Sequence, residues 1–189
     1  MGAKGAATNT RILDAAEKLF SERGFTAVTM KDICIAANIS RGGLYRHFSS
    51  TAIIFNSIIE REQKKAHGAL KRAKDGEVPA DKILSVYLEH RMNRLLKDDF
   101  GIDNAITEFA ANTDYGKEVA VKRAQDCLSI IEELIRTGNE TEVFNCKDVE
   151  ATARQICFIV EGMNKHSAIM PVTEKDVEAQ MKLINNMLK

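Results

Sequence analysis

The sequence predicts an all-α protein, and three observations carry that prediction. Across 189 residues only two prolines, Pro79 and Pro171, interrupt the chain. Apolar residues recur at the spacing of one helix face from segment to segment. No segment alternates β-branched and polar residues at the period of two that a half-buried strand requires. With 44% hydrophobic residues the chain can bury a real core, and its length suits two small domains.

The opening MGAKGAATN is small and polar, so it reads as a loose arm or a plain flexible terminus. As an arm it would offer Lys4 and Arg11 to a phosphate or a minor groove. The sharpest signal is the stretch TMKDICIAANISRGGLYRHF at residues 29–48. Thr29 and Asp32 stand three apart and form a capping box, each satisfying a free N–H of the first turn. A short helix therefore starts at Met30. Its residues Met30, Ile33, Cys34 and Ala37 make one buried stripe at i, i+3, i+4 and i+7. Asn38 ends it, because Asn enters the left-handed region at little cost and re-aims the chain. Ser40 then caps a second helix by accepting from the N–H of Gly42 or Gly43.

In that second helix Leu44 and Phe48, at i and i+4, anchor the buried side. Arg41, Tyr45 and His47 are left to project outward, and phosphates or base edges fit them. Arg offers a planar fork to guanine or a charge to phosphate, while Tyr and His donate single bonds to the backbone. Gly42 and Gly43 remove side chains where a helix would touch a groove floor. A Gly pair reads equally as a weakened helix, at about 1 kcal/mol per Gly relative to Ala.

Residues 8–60 resemble the DNA-binding domain of the TetR family of bacterial transcriptional regulators. The likeness is ordered along the chain. It takes in a first helix with Ala15, Ala16, Leu19 and Phe20, a stop at Gly24 and Phe25, the Thr29 cap, and the Ser40 to Phe48 recognition helix. The resemblance implies that Thr29, Ser40, Tyr45 and His47 hold phosphates and that Arg41, Gly42 and Gly43 face the bases, with Arg46 serving either role. Thr51 stands where the family commonly has a phosphate-binding lysine. It keeps a hydroxyl without the charge, which predicts weaker salt dependence.

Beyond residue 50 the chain reads as further helices. One long connecting helix is expected over 51–74, then others over 81–97, 103–112, 116–137, 148–169 and 174–188. Gly76, Gly101, Gly138 with Asn139, and Pro171 supply the breaks, and Thr173 caps the last helix. The expected organisation is a three-helix helix-turn-helix DNA-binding domain over 1–50 and a helical bundle for effector binding and dimerisation over 75–189. This second part also resembles its counterpart in the same family, though more generally.

Two stripes lie near the end of the chain. One is Ile156, Ile159, Val160 and Met163; the other is Val177, Met181, Ile184 and Leu188. They are long for a small single core and predict a symmetric homodimer, the alternative being packing within one subunit. A dimer implies a near-palindromic double-stranded operator. Between the middle helices a small-molecule effector is expected, hydrophobic with a polar end. Tyr87, Met92, Phe109 and Asn112 are candidate lining residues, as are Cys127, Phe158 and His166, with Glu108 as a further polar group. Each of these also reads as ordinary core or surface.

The formal net charge is zero, but residues 1–65 hold 10 Lys/Arg against 6 Asp/Glu and residues 66–189 hold 17 against 21. That asymmetry suits a nucleic-acid reader joined to a body with another task. Cys34, Cys127, Cys146 and Cys157 share no close spacing, so they predict reduced thiols and neither a metal site nor a redox pair. No cofactor is expected. No apolar stretch approaches a membrane span and no leader is apparent, so the expected location is the cytoplasm. The four histidines fall in separate helices, without H-E-x-x-H, G-x-S-x-G or a phosphate loop, which disfavours an enzyme. Glu89-His90-Arg91 reads as a solvated face. The competing reading is a ligand-sensing or protein-binding helical module with weak or lost DNA binding, supported by Thr51.

Overall fold

A computed structural model describes residues 3–96 and 101–189, with side chains from residue 5 onward. The Lys4 side chain and the Lys97 end of the expected 81–97 helix lie outside the described residues. Among the described residues there are nine α-helices and no strand. In order these are α1 Ala3–Arg23, α2 Met30–Ala36, α3 Arg41–His47, α4 Thr51–Lys74 and α5 Ala80–Asn93, which a 3-10 turn, Arg94–Leu96, extends. There follow α6 Ile102–Asn112, α7 Asp114–Glu140, α8 Val149–Ser167 and α9 Glu174–Met187.

Two boundaries differ from the sequence reading, each for a local reason. The expected loose arm is helical from Ala3; its alanines are the best helix formers and continue directly into α1. The expected stop at Gly138 and Asn139 lies inside α7. A Cβ at Gly138 would collide with the Phe144 ring, so this glycine admits a packing contact and does not end the helix. Asn139 spans the following loop, donating from Nδ2 to the Cys146 carbonyl (2.8 Å) and accepting from the Cys146 N–H (3.0 Å). Gly116 likewise sits inside α7, where a Cβ would collide with the Phe109 carbonyl.

The chain forms two compact units, Met1–Glu62 with Asp99–Lys122, and Gln63–Asp98 with Arg123–Lys189. Packing therefore does not follow chain order, since α6 belongs with the N-terminal helices. It supplies Ile102, Ala105, Ile106 and Phe109 to a core with Phe20, Ile33, Leu44, Phe55 and Ile58. Phe25, Phe55 and Phe109 pack in tilted and edge-on pairs at centroid distances of 4.6–5.2 Å. Within this unit the Glu108 carboxylate accepts from Thr26 N–H (3.0 Å) and Thr26 Oγ1 (3.1 Å), and Gly101 N–H donates to the Ser21 carbonyl. Arg61 ties α4 to α1 through Asp14 and Glu17, both at 2.6 Å.

The second unit has its own core, built from Leu84, Leu88, Met92, Ile131, Leu134, Ile156, Val160 and Ile184 among others. On its surface α4 pairs with α7 through His67–Asp126 and Lys74–Glu133.

Candidate nucleic-acid interface

The helix-turn-helix is built from caps and one left-handed residue. At the start of α2 Asp32 N–H donates to Thr29 Oγ1, and Thr29 N–H returns a bond to the Asp32 carboxylate at 2.9 Å. Those bonds from Thr29 hold the Asp32 carboxyl below its ordinary range, because the ionised form is the better acceptor. Asn38 takes φ 47°, the re-aiming turn that its residue type allows. Ser40 Oγ accepts from Gly43 N–H (3.1 Å) and starts α3. Ser50 does the same for the N–H of Ile53 at the head of α4, beside Thr51.

One side of α3 is fixed and the other is open. Leu44 is fully buried and Phe48 nearly so, which sets the rotation of the helix. Ser40, Arg41, Gly42, Tyr45 and Arg46 are exposed, with His47 and Thr51 half-buried and Thr29 exposed nearby in sequence. The Arg41 guanidinium carbon lies over the Tyr45 ring, 5.6 Å from its centroid. The two glycines separate into different roles. Gly42 has nothing within 4 Å of where a Cβ would stand. Gly43, expected to face outward, is buried, and a Cβ there would sit 2.9 Å from Ile39 Cγ1 and 3.1 Å from Ser40 Oγ. It is small because Ile39 presses on it.

The residues expected around an effector do not converge. Met92 is fully buried in the core of the second unit, and Phe109 belongs to the aromatic core of the first. Asn112 is exposed and donates to the Glu108 carbonyl, while the Glu108 carboxylate is engaged by Thr26. Phe158 and His166 line an open groove of about 370 Å³ between α8 and α9, together with Gly162 and Met163. Tyr87 and Cys127 also come together, elsewhere in the second unit. They do so in a half-buried polar cluster that also holds the buried Arg91 and the half-buried Cys157.

Arg91, read from the sequence as solvated, is 8% exposed and pairs with Glu161 at 3.0 Å. Its position was legible, because it falls at i+7 and i+3 on the stripe begun by Leu84 and Leu88. Burial pushes the Tyr87 hydroxyl up from its ordinary value, and the neighbouring Cys127 adds to this. Burial, again with Cys127, pushes the Cys157 thiol up to about 11. Such a thiol is protonated and unreactive near neutral pH. All four cysteines are unpaired.

The residues expected at a dimer interface divide between the subunit's own core and its margin. Ile156, Val160, Val177, Ile184 and Leu188 are buried within the chain's own second core, because α8 and α9 turn these rows onto α5 and each other. Ile159, Met163 and Met181 are partly buried beside it. The apolar groups left outward are Phe158 (62% exposed), Ile169, Met170 and Leu183.

Among the described residues no helix is long and apolar enough to cross a membrane, and no cluster of His, Cys, Asp or Glu could hold a metal ion. Residues 12–58 match the family described as bacterial regulatory proteins, tetR family. The HTH-type transcriptional regulator UidR of Escherichia coli (strain K12) is 32% identical over 125 residues, 66% of this chain and 61% of UidR. The match thus spans about three-fifths of the length of that relative. Reduced Escherichia coli NemR has the same fold, with a TM-score of 0.75 at 16% identity over 97% of this chain and 98% of NemR. The SmeT–triclosan complex gives 0.71 at 24% identity over 96% and 90%. A capped helix pair with one fixed and one open side thus lies within residues 12–58, the segment that matches the tetR family of bacterial regulatory proteins, and the chain as a whole shares the all-helical fold of NemR and SmeT.

Proposed function

We propose that the chain is a transcriptional regulator that reads a near-palindromic operator as a homodimer, acts as a repressor in the cytoplasm, and is released by a small effector. The observation that carries this reading is α3, capped at Ser40, anchored by Leu44 and Phe48, and open along Arg41, Gly42, Tyr45 and Arg46. Arg41 meets base edges and the bare Gly42 lets the helix approach the groove floor. Thr29, Ser40, Tyr45, His47 and Thr51 take phosphates, and Arg46 takes either partner. Gly43 supports the helix from beneath. Two such helices occupy major grooves separated by roughly 34 Å or a multiple of a turn. Repression needs nothing beyond tight occupancy of a promoter.

The second copy docks on the outward face of α8 and α9 at Phe158 and Leu183, whose exposure supports an apolar partner surface. The effector binds among the helices of residues 75–189, where Tyr87 and Cys127 supply polar groups inside an apolar surround. Its grip on the DNA-competent and incompetent states must differ for it to act as a switch.

Selection of bound sequences from a random duplex library at two salt concentrations tests the reading. Enrichment of a near-palindrome whose affinity falls with salt is expected. A folded dimer that enriches nothing would sink it, and would favour a sensor without DNA binding, the alternative that the uncharged Thr51 supports.

A further inference from the structure

We propose that Tyr45 is the positioning residue that presents Arg41 to the base edges, a role separate from its own bond to a phosphate. The inference rests on the DNA-reading function above and adds to it a source of base preference.

The geometry singles out this pair. Arg41 and Tyr45 stand at i and i+4, so their side chains share one face of α3. The guanidinium carbon is 5.6 Å from the ring centroid, within the range in which the ring face attracts a cation. Nothing else steers Arg41. Among the described residues it has no ion pair, and the adjoining Gly42 offers no side chain to lean on. It also opens its helix, where the positive end of the backbone dipole repels a cation. An arginine so placed would sample many rotamers in water, and ordering it on a base would lower affinity for the base it prefers.

The ring supplies the missing wall. It is held in turn by the buried Leu44 and Phe48, which fix the rotation of α3 and so the direction in which Tyr45 stands. The Tyr45 hydroxyl and the Tyr45 ring therefore act on different parts of the DNA, the first on any phosphate and the second, through Arg41, on one base pair.

Removing the hydroxyl alone separates the two roles. The operator selected by the wild-type protein, and versions of it changed at each position, would be titrated with Arg41→Ala, Tyr45→Phe, Tyr45→Ala and the double variant Arg41→Ala/Tyr45→Ala. Melting temperatures would verify that each is folded. Arg41→Ala identifies the position whose preference it flattens. Tyr45→Phe is expected to weaken binding to all sequences by one factor and to keep the preference at that position. Tyr45→Ala is expected to lose, in addition, roughly two- to five-fold of that preference, and to lose none further when Arg41 is already absent. Neither change at Tyr45 should alter the salt slope, since no charge is removed. If Tyr45→Ala weakens every sequence equally and leaves the preference intact, Tyr45 is only a phosphate contact and the proposal is overturned while the DNA reading stands. If the wild-type protein selects no sequence, the DNA reading falls and the proposal falls with it.

Discussion

At the scale of single residues, neighbours of the same type carry different burdens. Gly42 and Gly43 are indistinguishable in the sequence, since nothing local reveals that Ile39, four residues back across the turn, leans on the second. Gly42→Ala should leave the fold intact and stabilise it by up to about 1 kcal/mol through helix propensity. Gly43→Ala should destabilise, because Ile39 Cγ1 at 2.9 Å must move; urea unfolding would register both signs. Arg91 was obscured by the charged run around it, and only its register with Leu84 and Leu88 betrays its burial. Its ion pair is asymmetric, with the Arg91 side chain 9% exposed and that of Glu161 51% exposed. Glu161→Ala should therefore cost more stability than Arg91→Met. The first removes the carboxylate that neutralises a buried guanidinium, while the second leaves a carboxylate that water already reaches. Equal losses in denaturant titrations would contradict this account.

At the scale of elements, ends written in adjacent residues were legible and ends decided by distant packing were not. The capping boxes at Thr29 and Thr173 follow from spacing alone and are present with both reciprocal bonds. Thr173→Ala should lower stability by about 1 kcal/mol, the usual loss for a capping hydroxyl. The box at α9 also has a pH signature. Bonds from Thr173 hold the Asp176 carboxyl below its ordinary 3.8, so its contribution is complete above that value and lost as pH falls through the lower folded value. Melting temperatures of wild type and Asp176→Ala should differ at pH 7 and converge in acid. Gly138 looked like a stop because glycine usually is one, whereas here Phe144 returns from the following loop to cover it. The same test distinguishes glycines within helices. Gly68→Ala, with open space around it, should stabilise by up to about 1 kcal/mol, and Gly138→Ala should destabilise by displacing a ring.

At the scale of the whole molecule, helical periodicity announced apolar faces without saying what would cover them. The rows containing Ile156 and Ile184 suggested a partner surface, and within the subunit the chain itself covers these two residues. Ile184→Ala should therefore cost about 2–5 kcal/mol of folding stability as a core truncation. Phe158→Lys should leave the melting temperature of the subunit nearly unchanged and shift sedimentation toward monomer. The return of α6 to the N-terminal unit was equally hidden, because it depends on contacts such as Glu108 with Thr26, far apart in sequence. The proposed DNA contacts are mostly uncharged, with Arg41 and Arg46 the two cations on the open side of α3. A dimer engaging phosphates through those residues should show a shallow dependence of log affinity on log salt, with a slope of about −4 or less in magnitude. A much steeper slope would call for cations outside α3.

The interlock of Ile39 with Gly43 has a consequence for how such a protein can change its target. The caps Thr29 and Ser40 are proposed to serve both the fold and the phosphates. The packing that holds α3, however, lies at Ile39, Gly43, Leu44 and Phe48, and the side chains proposed to meet base edges lie at positions this packing does not need. Codons 41, 42 and 46 can accordingly be rewritten in a library without spending stability. Evolution, or an engineer, could give the proposed operator reader a new sequence preference by editing that face over an unaltered chassis.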